Sequence, residues 1–186
     1  MRPILRFTLL LSLVFAFTAC QEDNAQTNLL SYDGPNITAP EFLPGEYQMA
    51  ARFTPSETAE FRGKFLEEVE VYILNRPARA EIIIYGEGTA TVPGPIRYSE
   101  VVTTDLRSQS WNTHILSTPV EIQDEDIWIA IMVRHTAANG SVGCDVGPAN
   151  TNGDILLDDA QQWTNLRDFT NQAIDINWNI RGKVAD

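Results

Sequence analysis

The sequence predicts an all-β domain, a two-sheet antiparallel sandwich of jelly-roll type with one short helix. Three observations carry this expectation. Apolar and polar residues alternate with period two in several short runs; Gly, Pro, Asn and Asp punctuate those runs; and only one helical signature interrupts them.

Taken in order, the helical signature comes first, at Thr54-Pro55-Ser56-Glu57-Thr58-Ala59-Glu60-Phe61. Thr54 can cap, Pro55 suits the first helical position, Glu57 completes a capping box, and Gly63 stops the helix within two turns. Val69, Val71 and Ile73 then alternate with Glu68, Glu70 and Tyr72, which gives a strand covered on one face. After the turn-like Asn75-Arg76-Pro77, the run Ala80 to Tyr85 comes next and is expected to pair with it as a hairpin ending at Gly86 and Gly88. Ile96 to Thr103 alternates more loosely. In the next strand Trp111, Thr113 and Ile115 face opposite to Asn112, His114 and Leu116, and Pro119 breaks the ladder.

Asp126 to Val133 is apolar on both faces, as a strand covered above and below must be, and it is the expected centre of the core. A last strand, Ile174 to Arg181, directs Ile174, Ile176, Trp178 and Ile180 inward and the residues between them outward. About eight to ten strands in one domain favour two packed sheets.

The start of the chain reads differently. Arg2 and Arg6 precede an apolar run from Phe7 to Phe17 and then Thr18-Ala19-Cys20, the pattern of an export signal. The run is shorter than the roughly 20 residues that a spanning helix needs. Phe17-Thr18-Ala19-Cys20 resembles a bacterial lipobox, which implies lipid on Cys20 and attachment to a membrane through its acyl chains. Gln21-Glu22-Asp23 resembles the acidic signal that sends many Bacteroidota lipoproteins to the outward face of the outer membrane; a plain soluble tether is the other reading. The expected division is a signal over 1–19, the lipidated cysteine and tether over 20–31, and the sandwich over 32–186.

With 25 acidic against 13 basic residues the chain carries a net charge of -12, and removal of Arg2 and Arg6 would make it more negative. Phosphate backbones would be repelled, so a nucleic-acid partner is excluded. The composition, 44% hydrophobic and 20% charged, is that of a globular domain.

Several segments resemble a β-sandwich module of Bacteroidota surface lipoproteins and protease-associated adhesins, similar to the cleaved-adhesin or haemagglutinin modules of gingipain-type proteins. They run from Met49-Ala50-Ala51-Arg52-Phe53-Thr54-Pro55 through Leu66 to Ile73, Trp111-Asn112-Thr113 and Pro119-Val120-Glu121-Ile122. They continue through Asp126-Ile127-Trp128-Ile129 and Gly143 to Ala149 and end at Trp178-Asn179-Ile180-Arg181-Gly182. The resemblance implies an adhesin-like jelly roll at the cell surface, here without an enzyme domain beside it.

Candidate chemistry is sparse. The loop Gly143 to Asp154 is the least core-like stretch. Asp145, Asn150, Asn152 and Asp154, with Asp158 and Asp159 beyond, offer the oxygen ligands that a structural calcium ion needs, although EF-hand spacing is absent; a solvated acidic loop is the alternative. Once Cys20 is acylated, Cys144 has no cysteine partner. It is expected to be a buried thiol, not the nucleophile of a set with His114 or His135 and Asp145. The acidic run Glu121 to Asp126 reads as a solvated turn, and Arg76 and Arg79 as an exposed one. Among the tryptophans, Trp128 and Trp178 belong to the core, whereas Trp163, flanked by Gln162 and Asn165, is the candidate ligand platform. No residue is expected to be catalytic. The resulting expectation is a non-catalytic, lipid-anchored, adhesin-like module that binds a protein or glycan. The alternatives are a glycan-binding accessory of a polysaccharide-uptake system and a surface hydrolase.

Overall fold

A computed structural model describes residues 28–185. The signal segment, Cys20 and the tether as far as residue 27 lie outside the described residues. In chain order the strands are β1 (Leu29–Leu30), β2 (Gly45–Phe53), β3 (Phe65–Ile73), β4 (Arg79–Gly86), β5 (Ile96–Val101) and β6 (Ser110–Glu121). They continue with β7 (Ile127–His135), β8 (Ile155–Leu157), β9 (Trp163–Asn165) and β10 (Ile180–Val184), and a single helical turn, α1 (Leu166–Phe169), comes directly after β9. They form two antiparallel sheets, a four-stranded one in the order β1-β10-β3-β6 and a six-stranded one in the order β5-β4-β7-β2-β8-β9. The sandwich expectation holds. Among the described residues no helix is long and apolar enough to cross a membrane.

The central position of β7 is a consequence of its sequence. It lies between β4 and β2, with Ile129 opposite Ile84 on one side and Ala51 on the other. Ile129, Ile131 and Val133 face Val69, Val71 and Ile73 of the other sheet in a core that also contains Met49, Leu116 and Trp178. Each large aliphatic side chain buried there stabilises the fold by about 1.5–3 kcal/mol. Gly182 on β10 marks a close approach of the sheets, because a Cβ there would lie 2.4 Å from Ile129 Cδ1 and 2.7 Å from Leu66 Cδ1.

The opposite face of β7 is dry as well. Trp128, Ala130 and Met132 join Ala50, Ile83, Tyr85 and Ile155 in a second buried cluster on the outer side of the six-stranded sheet. Ala50 and Ala130 are register partners, and two such small side chains leave room for the indole of Trp128 beside them. Trp163 closes the cluster, edge-on to Trp128 and Tyr85 at ring-centre distances of 5.9 and 6.2 Å.

Several expectations are corrected. β3 and β4 do not form a hairpin; β3 pairs with β10 and β6, and β4 with β5 and β7, so the five residues between them cross from one sheet to the other. The last strand begins only at Ile180, and Asn177 and Asn179, expected to face outward, are buried. Leu29 and Leu30, assigned to the tether, form β1 against Lys183 and Gly182. At Thr54 the capping contact does form, since Glu57 Oε2 accepts from Thr54 N at 2.8 Å, but the chain then continues as a turn and a 3-10 segment over Ala59–Phe61 instead of an α-helix. Pro119 lies within β6 where the register slips, with Val120 opposite Leu66 but Ile115 opposite Glu68. A residue without an N–H is tolerated at such an irregularity.

Candidate functional site

Three connections meet at one end of the sandwich: residues 74–78 between β3 and β4, 102–109 between β5 and β6, and 136–141 after β7. Hydrogen bonds join them. Arg76 Nη2 donates to Thr103 O (2.8 Å), Gln109 N to Leu74 O (3.2 Å), Leu74 N to Ser141 O (2.8 Å) and Asn75 Nδ2 to Gly140 O (3.0 Å). Loops fixed to one another in this way present their side chains in a preformed arrangement, which lowers the ordering cost of binding.

Asn112 shapes the second of these loops. Its Oδ1 accepts from Arg107 N at 2.6 Å and its Nδ2 donates to Arg107 O and Ser110 O. The loop is thereby held beside the free edge of β6. Between them lies a recess of about 210 Å³ lined by Asp105, Arg107, Trp111, Asn112 and Thr113. A smaller apolar hollow adjoins it, reaching Val71, Ile82, Val102 and Leu106, with His114 on its wall.

Trp111 is half-buried, with the guanidinium of Arg181 over its ring at 4.0 Å and Tyr72 edge-on at 5.8 Å. Arg181 is itself fixed by Asp33, whose oxygens accept from Nε at 3.0 and 3.1 Å. Arg107, by contrast, has no ion-pair partner among the described residues, although most other cations of this acidic chain do. The recess therefore offers a carboxylate acceptor in Asp105, a guanidinium donor in Arg107, a hydroxyl in Thr113 and an aromatic edge in Trp111. That set suits a hydroxyl-rich ligand with an apolar face.

Below the recess a polar strap joins the two sheets along their open side. Tyr98 Oη on β5 donates to Glu100 Oε2 (2.5 Å) and lies 2.8 Å from His114 Nε2 on β6, while Ser117 Oγ donates to the same Glu100 oxygen (2.9 Å). The donors from Tyr98 and Ser117 hold the Glu100 carboxyl below its usual range, and burial, then Glu100, push the Tyr98 phenol up. Ser117 bonds the carboxylate and not the imidazole, so the cluster is not arranged as a serine nucleophile with its base.

The residues singled out from sequence fall elsewhere. Trp163 is half-buried against Trp128 and Tyr85. Asn165 turns its amide to Asp154 Oδ1 (2.5 Å) and Thr151 O (2.9 Å), and the exposed Gln162 reaches only Ala160 O. None of the three lines the recess beside Trp111 or the hollow adjoining it. In the acidic loop, Asp145 accepts from Gly34 N, Gly147 N, Asn177 N and Asn177 Nδ2 at 2.7 to 3.0 Å. Burial opposes its ionisation, but these donors outweigh burial and hold its carboxyl below the usual range. Gly147 takes a positive φ of 71° here, where a Cβ would strike Asp175 O at 2.1 Å. Asn150 Oδ1 accepts from Asn152 N, Asn152 Oδ1 from Arg52 Nη1, and Asp154 from Asn165 and Arg167. The four proposed cation ligands are thus each engaged with N–H donors, and no group of three or more His, Cys, Asp or Glu able to hold a metal occurs among the described residues.

Cys144 is fully buried, and burial, reinforced by the charge of Asp145, pushes its thiol up to about 12. The acidic run is not simply solvated, since Asp124, Glu125 and Asp126 pair with Arg62, Arg97 and Arg52. Trp128 and Trp178 are buried as expected. The recess beside Trp111 was missed because its walls come from a loop and an edge strand that local patterning does not bring together. The available signal was an aromatic at the start of a strand directly after a polar loop containing Asp105 and Arg107.

No known family matches the chain, and no curated protein matches it. Solved structures do resemble it. One is the clostridial cysteine protease Cwp84 after propeptide cleavage, with a TM-score of 0.56 and 8% identity over 84% of this chain. Another comprises the cysteine protease and lectin-like domains of Cwp84, a surface layer associated protein of Clostridium difficile, with a TM-score of 0.54 and 11% identity over 77% of this chain. The chain spans 40% and 33% of those structures, and at such identities the likeness is one of fold.

Proposed function

We propose that the protein is a non-catalytic, lipid-anchored binding module at the outer face of the outer membrane, taking a hydroxyl-rich glycan in the recess beside Trp111. The observation that carries this reading is the recess itself: an aromatic, a free guanidinium and a carboxylate set side by side on loops locked by Asn112 and Arg76. Asn28 O accepts from Val184 N near the beginning of β3, whereas the recess lies past the end of β3, roughly 27–30 Å away at the rise of a nine-residue strand. The lectin-like domain named in one Cwp84 structure, and the surface association stated for that protein, are in keeping with such a role.

A glycan array tests the reading, using the wild-type chain and a Trp111→Ala variant. Saturable binding lost in the variant is the expected result. Absence of binding to every glycan would overturn the glycan reading and leave a protein ligand as its replacement. Mass spectrometry of the native N-terminus checks the acyl group on Cys20, and protease shaving of intact cells checks exposure.

A further inference from the structure

Arg107 is the one cation lining the recess beside Trp111, and its backbone is pinned from both sides. Its N–H donates to Asn112 Oδ1 at 2.6 Å, and its carbonyl accepts from Asn112 Nδ2 at 3.0 Å and from Ser110 Oγ at 3.1 Å. Two residues on, Gln109 takes a φ of 57°, a left-handed conformation that a residue with a Cβ adopts rarely, and its N–H donates to Leu74 O at 3.2 Å. Leu106, 5% exposed, anchors the preceding position in the core. The loop thus fixes where the Arg107 side chain leaves it. That exposed side chain itself has no hydrogen bond or ion pair among the described residues.

Asp105 lines the same recess and is also exposed, two residues away, yet the two charges do not pair. Among the described residues its carboxylate accepts only from Thr104 Oγ1, at 3.3 Å. The two groups place different demands on a ligand. A carboxylate is satisfied by neutral hydroxyl donors, which every sugar carries, so Asp105 requires no charge of what it binds. A guanidinium presents a planar fork of N–H donors and no acceptor, and the group that matches it in both geometry and charge is a carboxylate held through two oxygens. Arg181, over the Trp111 ring, does not compete for such a group, since Asp33 already answers its charge. The chain as a whole is acidic, with a net charge of -12, so an anion gains nothing from the long-range field and must be held by contact with Arg107.

We infer that the recess selects a glycan built with uronic acid, and that Arg107 is its specificity-determining residue. The guanidinium takes the sugar carboxylate, Asp105 and Thr113 take ring hydroxyls, and Trp111 meets the apolar side of the ring. This rests on the glycan reading of the recess and names the class of sugar it takes.

Titration calorimetry tests it with oligosaccharides of galacturonate, glucuronate and mannuronate and with their carboxyl-reduced counterparts, in which each acid becomes galactose, glucose or mannose with the ring configuration kept. At least one acid should bind about tenfold more tightly than its reduced form, as a charged hydrogen bond at an exposed position allows. The Arg107→Gln variant keeps a donor for hydroxyls but loses the charge, so the two members of that pair should converge to within about twofold. Its melting temperature should match the wild type, because the side chain has no partner to lose. Equal or weaker binding of every acid overturns the inference, as does a preference that survives in Arg107→Gln; binding of the neutral sugars in either case leaves the glycan reading standing. If no acidic or neutral sugar binds, here or on the array, both readings fall together.

Discussion

The guanidinium of Arg181 lies 4.0 Å from the centre of the Trp111 ring and is held there by Asp33, whose carboxylate is wholly withdrawn from solvent. Asp33 also accepts from Asn179 Nδ2 at 2.6 Å, so one buried acid fixes both the cation over the tryptophan and the strand entering β10. Asp33→Asn leaves Arg181 without its counter-charge. The expected cost is about 3 kcal/mol in urea unfolding, with a red shift of Trp111 emission as its ring loosens.

Acid should weaken the fold through Asp145. Its folded pKa lies below the unfolded value, so its stabilisation is complete above the unfolded carboxylate range and is lost as pH falls through the folded value. Asp154, pushed up by burial, acts in the opposite sense and regains stability on acidification. Asp145→Asn should flatten the acid limb of a urea-midpoint profile below about pH 4. It should also cost about 2–3 kcal/mol at neutral pH, because an amide cannot accept from four N–H donors.

Calcium and chelator should both leave the melting temperature unchanged, since the oxygens of Asp145 and Asp154 already receive protein N–H groups. A calorimetric melt in each condition checks this, and a calcium-dependent rise would instead place a cation in the loop.

Cys144 should resist alkylation in the native protein. A thiol with a pKa near 12 is almost wholly protonated at neutral pH, and its sulfur is buried. Iodoacetamide labelling with mass-spectrometric detection should show modification only after denaturation.

Trp163→Ala should destabilise the protein by about 2–3 kcal/mol by opening the cluster around Trp128, yet leave ligand binding at the loop end intact. Paired melting and binding curves test both halves. Loss of binding at unchanged stability would return Trp163 to the role of a platform.

Tyr98→Phe removes the hydroxyl that joins Glu100, His114 and the Ser117 amide. A loss of about 1 kcal/mol is expected. Amide exchange along β5 should quicken more than along β7.

How far the sequence disclosed this structure depends on the range of the forces involved. Strand β7 was legible because apolar residues on both its faces can be satisfied only between two layers. The same logic distinguishes β3 from β4: Val69, Val71 and Ile73 alternate with polar neighbours, whereas Ile82, Ile83 and Ile84 do not, and two strands so differently covered belong to different sheets. Their short separation suggested a hairpin instead. Asn177 and Asn179 were misplaced because their partners, Asp145 and Asp33, lie 32 and 146 residues away, and no local pattern reports that a polar side chain will be matched inside. The recess was hidden for a similar reason. Trp111 was visible as an aromatic on an alternating strand, but the bend that sets Arg107 beside it depends on three hydrogen bonds made by Asn112.

The slipped register of β6 bears on how these molecules behave when crowded. The second half of a twelve-residue border strand would ordinarily invite a neighbour to zip onto its open backbone. Here the amide of Ser117 is already claimed by the Tyr98 hydroxyl, and Pro119 has none to give. However densely these domains are set, this stretch of β6 should therefore not serve as the template along which one head zips onto the next.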